Sequence, residues 1–175
     1  QDVIEILNKI QCKPVFLSES LIEKYYEGFS NSTIWPLFHY FPEYTEFNND
    51  FWNAYKEVNE RFAEEILKHV KKDDNVWIHD YQLLLVPELL KKSRKDLNIG
   101  FFLHIPFPSY EIFRIIPWRK ELIKGLMGAD LIGFHTYDYA RHFLSSVKRL
   151  IGNEVNFNTI ITNRGHIEVD VFPMG

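Results

Sequence analysis

Three short apolar runs in the sequence each end in a histidine, and a carboxylate follows the first of them. The runs are VWIH, IGFFLH and LIGFH; they end at His79, His104 and His135, and Asp80 comes directly after His79. If the runs are parallel strands, their carboxyl ends lie at one edge of a sheet, where open α/β sheets bind ligands. Imidazole and carboxylate groups hydrogen-bond to hydroxyl and phosphate oxygens. These four residues are therefore candidate site residues.

The same residues also have a simpler structural interpretation. Asp80 precedes a helical pattern from Tyr81 to Leu90 and could be the cap of that helix. A histidine that closes a buried strand is often a core residue whose nitrogens are hydrogen-bonded. Histidine also suggests zinc, but no HExxH or comparable carboxylate–histidine set occurs, so we expect no metal ion and no other cofactor.

The segment from Tyr25 to Pro36 combines aromatic rings with polar side chains. Its sequence is YYEGFSNSTIWP, and it contains two helix breakers, Gly28 and Pro36. Aromatic faces stack on sugar rings, and a tyrosine hydroxyl can hydrogen-bond to a sugar or phosphate oxygen. From the residues alone, a loop packed down by its aromatic side chains is the simpler interpretation.

The usual phosphate-binding motifs are missing from the sequence. It has no GxGxxG, no GxxxxGK[ST] and no Asp-x-Asp. A nucleotide site, if one exists, is expected outside these residues.

The elements that must position these side chains follow from the apolar periodicity. Between Asn49 and Val70, apolar residues recur at steps of three and four, which predicts an amphipathic helix. A capping-box spacing from Ser20 to Glu23 predicts a second helix that ends at Gly28. A third helix is predicted after His135. Strands are predicted at PVFL (residues 14–17), at the three histidine-ended runs, and near 159–162 and 167–172.

Short, continuously apolar strands that alternate with helices are typical of a parallel sheet buried between helices. The predicted fold class is α/β, a doubly wound Rossmann-like sheet formed by residues 1–175 as a single domain. The N-terminus leads almost directly into a strand–helix unit, and Pro173-Met174-Gly175 follows a strand. We therefore expect this domain to be truncated.

Composition narrows the range of partners. The 175 residues carry a net charge of −4, which disfavours a nucleic-acid partner. The one cysteine, Cys12, allows no intrachain disulfide and fits a reducing compartment. No apolar run approaches the roughly 18–20 residues that span a bilayer, and no signal peptide is apparent. We expect a cytoplasmic protein without a membrane partner.

Four blocks of the sequence, in order, carry a family resemblance. They are YYEGFSNSTIWPLFHY, VWIHDYQLLLVPELL, IGFFLHIPFPSYEIFR and GADLIGFHTYDYARHF, and the resemblance extends from about Pro14 to Gly175. They resemble the signature blocks of the trehalose-6-phosphate synthases, glycosyltransferase family 20. The resemblance implies the N-terminal half of a GT-B enzyme, whose active site lies between two Rossmann-like domains.

The resemblance also implies a reaction and site residues. The family transfers glucose from UDP-glucose to glucose 6-phosphate, with retention at the donor anomeric carbon and without a metal ion. Tyr26 and Trp35 resemble residues that hold glucose 6-phosphate, and Asp80 resembles the aspartate that binds an acceptor hydroxyl. His104 resembles the histidine beside the donor glucose. Trp35 and Ile105 resemble the pair that shapes selectivity for the α-anomer.

Parts of the family pattern have no counterpart in this sequence. The first stretch, with an arginine for the acceptor phosphate, and the C-terminal nucleotide-binding domain are absent. The 175 residues alone are therefore expected to be inactive, and the parent protein is expected to be an active enzyme. Its assembly as a homo-oligomer is left open by the sequence. The alternatives are a catalytically silent regulatory member and another GT-B transferase with a different acceptor.

Overall fold

A six-stranded mixed sheet with helices packed against it forms the structure, a computed structural model that describes residues 3–173. Gln1, Asp2, Met174 and Gly175 lie outside the described residues. The truncation predicted from the two ends of the chain therefore stays a prediction. The strands are β1 Asn75–His79, β2 Asn98–Phe102, β3 Leu131–Phe134, β4 Val155–Asn156, β5 Thr159–Thr162 and β6 Gly165–Val171.

The helices precede, connect and follow the first three strands. The α-helices are α1 Val3–Lys9, α2 Glu19–Ile22, α3 Trp35–Phe38, α4 Asn49–His69, α5 Val86–Ser93, α6 Tyr110–Phe113, α7 Arg119–Leu126 and α8 Tyr137–Leu150. A π-helix spans Glu23–Ile34, and 3-10 turns span Pro42–Tyr44 and Tyr81–Leu83. Among the described residues, no helix is both long and apolar enough to cross a membrane.

The strand order is β1-β2-β3-β6-β5-β4. β1, β2, β3 and β6 are parallel, whereas β5 pairs antiparallel with both β6 and β4. The predicted α/β class is confirmed, and all three histidine-ended runs are strands. The antiparallel part follows from the short connections between β4, β5 and β6, since a parallel crossover needs a dozen or more residues.

The two faces of the sheet differ in burial. Ile78, Phe101 and Ile132 point to one face and are almost completely buried. On the opposite face Trp77 is 70% exposed and Phe172 is 43% exposed, and these side chains line an apolar groove of about 590 Å³. Within residues 3–173 the sheet thus has one covered face and one open face.

The amphipathic helix predicted from Asn49 onward is confirmed as α4. Its first turn is capped by Asn48, whose Oδ1 accepts a hydrogen bond from the Asp50 amide at 2.8 Å. The side chains that recur at helical spacing face the core, and Trp52 stacks on Trp118 with ring centroids 5.3 Å apart.

The strand predicted at residues 14–17 is wrong. A strand needs a neighbour to satisfy its backbone groups, and within the described part of the chain none pairs with this segment. The Phe16 side chain is 65% exposed. The Phe16 carbonyl instead accepts a long hydrogen bond, 3.4 Å, from the Arg61 guanidinium of α4.

The helix predicted from Ser20 to Gly28 has different ends. It begins at Glu19, capped by Ser18, and it continues through Gly28 as the π-helix and then as α3. Gly28 is a packing residue: a Cβ atom added there would lie 2.7 Å from the Phe51 ring of α4. The missing side chain lets the two helices approach closely.

Candidate functional site

The three histidines lie close together at the carboxyl ends of the parallel strands. His79 is the last residue of β1, and His135 directly follows β3; β2 ends earlier than predicted, so His104 lies two residues beyond it. The His104 ring centroid is 5.2 Å from that of His79 and 5.9 Å from that of His135. The expected convergence at one sheet edge is confirmed for these three side chains.

Asp80 links the end of β1 to the segment after β2. Its Oδ1 atom accepts hydrogen bonds from the backbone amide of Tyr81 at 2.9 Å and from that of His104 at 3.3 Å. The carboxylate therefore caps the 3-10 turn, as its simpler interpretation required, but it also fixes the segment that carries His104.

The backbone of Asp80 is strained. Its φ and ψ are 74° and 171°, a region of dihedral space that is essentially restricted to glycine and that costs other residues about 1–3 kcal/mol. Such strain persists where the surroundings over-determine the conformation, and it clusters at functional sites. The orientation of the Asp80 carboxylate therefore requires an unfavourable backbone conformation.

Two buried polar side chains of α4 hold the segment after Asp80. The Tyr55 hydroxyl donates to the Tyr81 carbonyl at 2.7 Å and accepts from the Leu84 amide at 3.0 Å. Asn59 donates to the Gln82 carbonyl at 3.0 Å and accepts from the Leu85 amide at 3.1 Å. Because burial removes water as an alternative partner, these hydrogen bonds fix the backbone beside the site. Burial also raises the pKa of Tyr55 well above its ordinary value.

The π-helix explains how Tyr26 and Trp35 can face the same region. They are nine residues apart, which is about two and a half turns of an α-helix and would put them on opposite faces. The i→i+5 bonds of a π-helix, such as that from the Trp35 amide to the Ser30 carbonyl, widen each turn, so nine residues make about two turns. Both side chains are about two-fifths exposed, Tyr26 at 42% and Trp35 at 44%.

Tyr81 joins the aromatic segment to the sheet edge, and residue patterns did not predict this role. Its ring lies 5.6 Å from the Trp35 ring, and its hydroxyl donates to Asn31 Oδ1 at 3.1 Å. Burial, then the nearby Tyr26 and Asp80, raise the pKa of Tyr81 to about 12, so it stays a neutral donor. Its place directly after Asp80 was the only available signal.

The site residues therefore form a connected series: Trp35 touches Tyr81, Tyr81 bonds to Asp80, and Asp80 bonds to the His104 amide. Ile105 directly follows His104, but it is buried in the core with 5% exposure. A joint role of Ile105 and Trp35 in anomer selectivity stays a prediction.

At His79 the surroundings favour the uncharged imidazole. Burial, and then the neighbouring His104, lower the pKa of His79, while Asp80 acts in the opposite direction. Among the described residues, no group of three His, Cys, Asp or Glu side chains is arranged to hold a metal ion.

The fold and this site define a class: an α/β domain with polar and aromatic side chains gathered at the carboxyl edge of its parallel strands. The chain belongs to glycosyltransferase family 20, whose family model matches residues 1–175. It is 49% identical over 176 residues to an α,α-trehalose-phosphate synthase (UDP-forming) from Candida albicans; the match covers 98% of this chain and 37% of that protein.

Two solved structures are similar as well. An α,α-trehalose-phosphate synthase from Burkholderia xenovorans, solved in complex with glucose-6-phosphate, has a TM-score of 0.84 at 31% identity, covering 91% of this chain and 36% of that one. The N-terminal domain of a trehalose-6-phosphate phosphatase from Candida albicans has a TM-score of 0.87 at 35% identity, covering 98% and 38%. The chain thus spans little more than a third of the length of each of these proteins.

Proposed function

We propose that this chain is the acceptor-binding part of a trehalose-phosphate synthase, which transfers glucose from UDP-glucose to glucose 6-phosphate. The observation that carries the proposal is the connected series from Trp35 through Tyr81 and Asp80 to His104. Family membership, the UDP-forming relative and the glucose-6-phosphate complex of a similar structure support it.

Each side chain has a role suited to its position. Tyr26 and Trp35 offer a hydroxyl and an indole face to the phosphorylated hexose, because both are partly exposed, Tyr26 on the π-helix and Trp35 directly after it. One oxygen of Asp80 accepts the two backbone hydrogen bonds, and no bond to the other oxygen is recorded within residues 3–173. That second oxygen is proposed to accept a hydrogen bond from the attacking hydroxyl, and His104 is proposed to contact the donor glucose.

Retention without a protein nucleophile requires acceptor and leaving group on one face of the donor sugar. The protein then acts by positioning its substrates and by stabilising the charge on the departing diphosphate. We infer that residues 1–175 act as one domain that supplies the acceptor side and that groups outside them bind the nucleotide. The isolated 175 residues are therefore proposed to be inactive, and no metal ion or cofactor is assigned to the reaction.

The proposal is tested by measuring UDP release from UDP-glucose and glucose 6-phosphate in a full-length family-20 chain that carries these 175 residues. We expect turnover in that protein, none in the isolated chain, and a loss of at least about a hundredfold in kcat for Asp80→Asn. Asp73→Asn is the control, because Asp73 is exposed in the turn two residues before β1 begins, and this variant should retain activity. Unchanged turnover in the Asp80→Asn variant would exclude Asp80 from the site.

A second candidate function rests on one comparison. The similarity to the N-terminal domain of a trehalose-6-phosphate phosphatase favours, as the second candidate, a catalytically silent domain of this family. The two functions differ in one observable, because a silent domain produces no UDP from these substrates when carried in a full-length chain.

A further inference from the structure

His79 and His104 form a hydrogen bond for which the proposed substrate contacts give no reason. His79 Nδ1 lies 2.9 Å from His104 Nε2, and the two rings are inclined by 31°. Of the two, only His104 belongs to the proposed site. His79 ends β1, opposite Phe102 in the register with β2, and its ring lies 4.8 Å from the Trp77 ring.

This bond limits what His104 can offer to a ligand. A neutral imidazole has one N–H donor and one acceptor nitrogen, and the bond made by one nitrogen sets the proton position on the other. Because Nε2 of His104 is engaged by His79, Nδ1 is its remaining polar ring atom. Within residues 3–173, no hydrogen-bond partner of His104 Nδ1 is recorded.

We propose that His79 is a positioning residue for His104. His79 donates its Nδ1–H to Nε2 of His104, which leaves the His104 proton on Nδ1, where it can donate to the donor sugar or its phosphate. The inference deepens the proposed function and rests on it for the identity of that ligand. The assigned positions of the protons on the two imidazole rings depend only on residues of this chain.

The direction of the bond follows from the chemistry expected beside it. An anionic diphosphate or a sugar oxygen is best held by a donor. A neutral His104 has an N–H to offer at Nδ1 only if its Nε2 is the acceptor of the bond from His79. A pair with both imidazoles protonated would have no acceptor nitrogen between the rings and would lose the bond. The lowered pKa of His79, caused by burial and by His104, keeps His79 neutral.

The direct test is the tautomer of His104, read from the ¹⁵N shifts of its ring nitrogens at pH 7.5 in the 175-residue chain. The wild type should show His104 protonated at Nδ1. His79→Asn should preserve that state, because the asparagine amide reaches the position of Nδ1 and can donate. His79→Phe keeps a ring beside Trp77 but removes the donor, so His104 should become a mixture of tautomers.

Kinetics of the full-length chain give an independent readout. His79→Phe should lower kcat by about tenfold or more, the size of loss seen when the partner that orients a metal-bound histidine is removed, and it should change KM for glucose 6-phosphate less than twofold. His79→Asn should restore most of kcat. A merely structural role predicts instead that both variants lose activity in proportion to their loss of folded protein.

Either of two tautomer results would overturn the proposal: a wild-type His104 protonated at Nε2, or the same His104 tautomer in His79→Phe as in the wild type. Equal kcat values for the Asn and Phe variants would also overturn it. A full-length wild type that forms no UDP would refute the proposed function, while the tautomer measurement would still decide the bond between the two rings.

Discussion

At the scale of single residues, the site depends on one carboxylate held in a costly backbone conformation. The sequence could identify Asp80 as a candidate, because it follows an apolar strand, and could not reveal its positive φ. Dihedral strain arises when several contacts act on one residue. Here the contacts come from β1, the turn after it and the His104 amide. The last of these lies 24 residues from Asp80 in the sequence.

The strain at Asp80 predicts an unusual order of stability for two substitutions. Asp80→Ala and Asp80→Gly both remove the carboxylate, but only glycine adopts this φ and ψ without strain, so Asp80→Gly should be the more stable by about 1–3 kcal/mol. Chemical denaturation of the two variants measures the difference. At an unstrained extended position alanine would be the more stable residue, and that order here would contradict the strain.

Residue patterns also left Tyr81 without a role, for a physical reason. Its function depends on Asn31 and Trp35, which lie 50 and 46 positions earlier and reach it only through the packing of the π-helix. The resemblance of sequence blocks could indicate Tyr26 and Trp35 as site residues. No residue pattern indicated the hydrogen bond that joins Tyr81 to Asn31.

At the scale of elements, helix winding and buried hydrogen bonds position the site. The periodic pattern of α4 predicted its bounds well, since amphipathic burial dominates there. The predicted helix was ended too early, at Gly28, and residues 29–34 were interpreted as a loop, because glycine and polar residues favour a loop when tertiary contacts are ignored. In the structure, Gly28 packs on Phe51 and Thr33 donates to the Glu46 carbonyl, so the segment is held as a helix.

The hydroxyl of Tyr55 should be worth a measurable part of the stability. Tyr55→Phe leaves the Tyr81 carbonyl and the Leu84 amide without their partner in a buried place, which should cost about 1–3 kcal/mol of unfolding free energy. Tyr44→Phe is the matched control, because Tyr44 is 72% exposed, and it should change stability by less than about 0.5 kcal/mol. Equal effects in urea denaturation would refute the role assigned to Tyr55.

At the scale of the whole molecule, the sheet has one face buried in the core and one open face. Apolar strands predicted the parallel core, and the order of the elements predicted that polar groups converge at its carboxyl edge. The strand near 159–162 was predicted and is confirmed as β5. Its antiparallel pairing, the short strand β4 and the open face were not predicted, because a strand's pairing partner and cover depend on the complete arrangement rather than on its own residues. The predicted strand at 14–17 failed for the same reason.

This arrangement places the tryptophans in distinguishable positions. Of the four tryptophans, Trp52 and Trp118 stack on each other beneath the π-helix, Trp35 belongs to the proposed acceptor site, and Trp77 is exposed on the open face. A ligand at the acceptor site should therefore affect Trp35 and leave Trp77 unchanged.

The most direct test of the acceptor site is a ¹⁹F NMR titration of the 5-fluorotryptophan-labelled chain with glucose 6-phosphate, with resonances assigned by Trp→Phe variants. We predict a saturable shift of the Trp35 resonance, no shift of the Trp77 resonance, and loss of the Trp35 response in Asp80→Asn. A Trp35 resonance that does not move, or that moves no more than Trp77, would contradict a glucose 6-phosphate site formed by these residues.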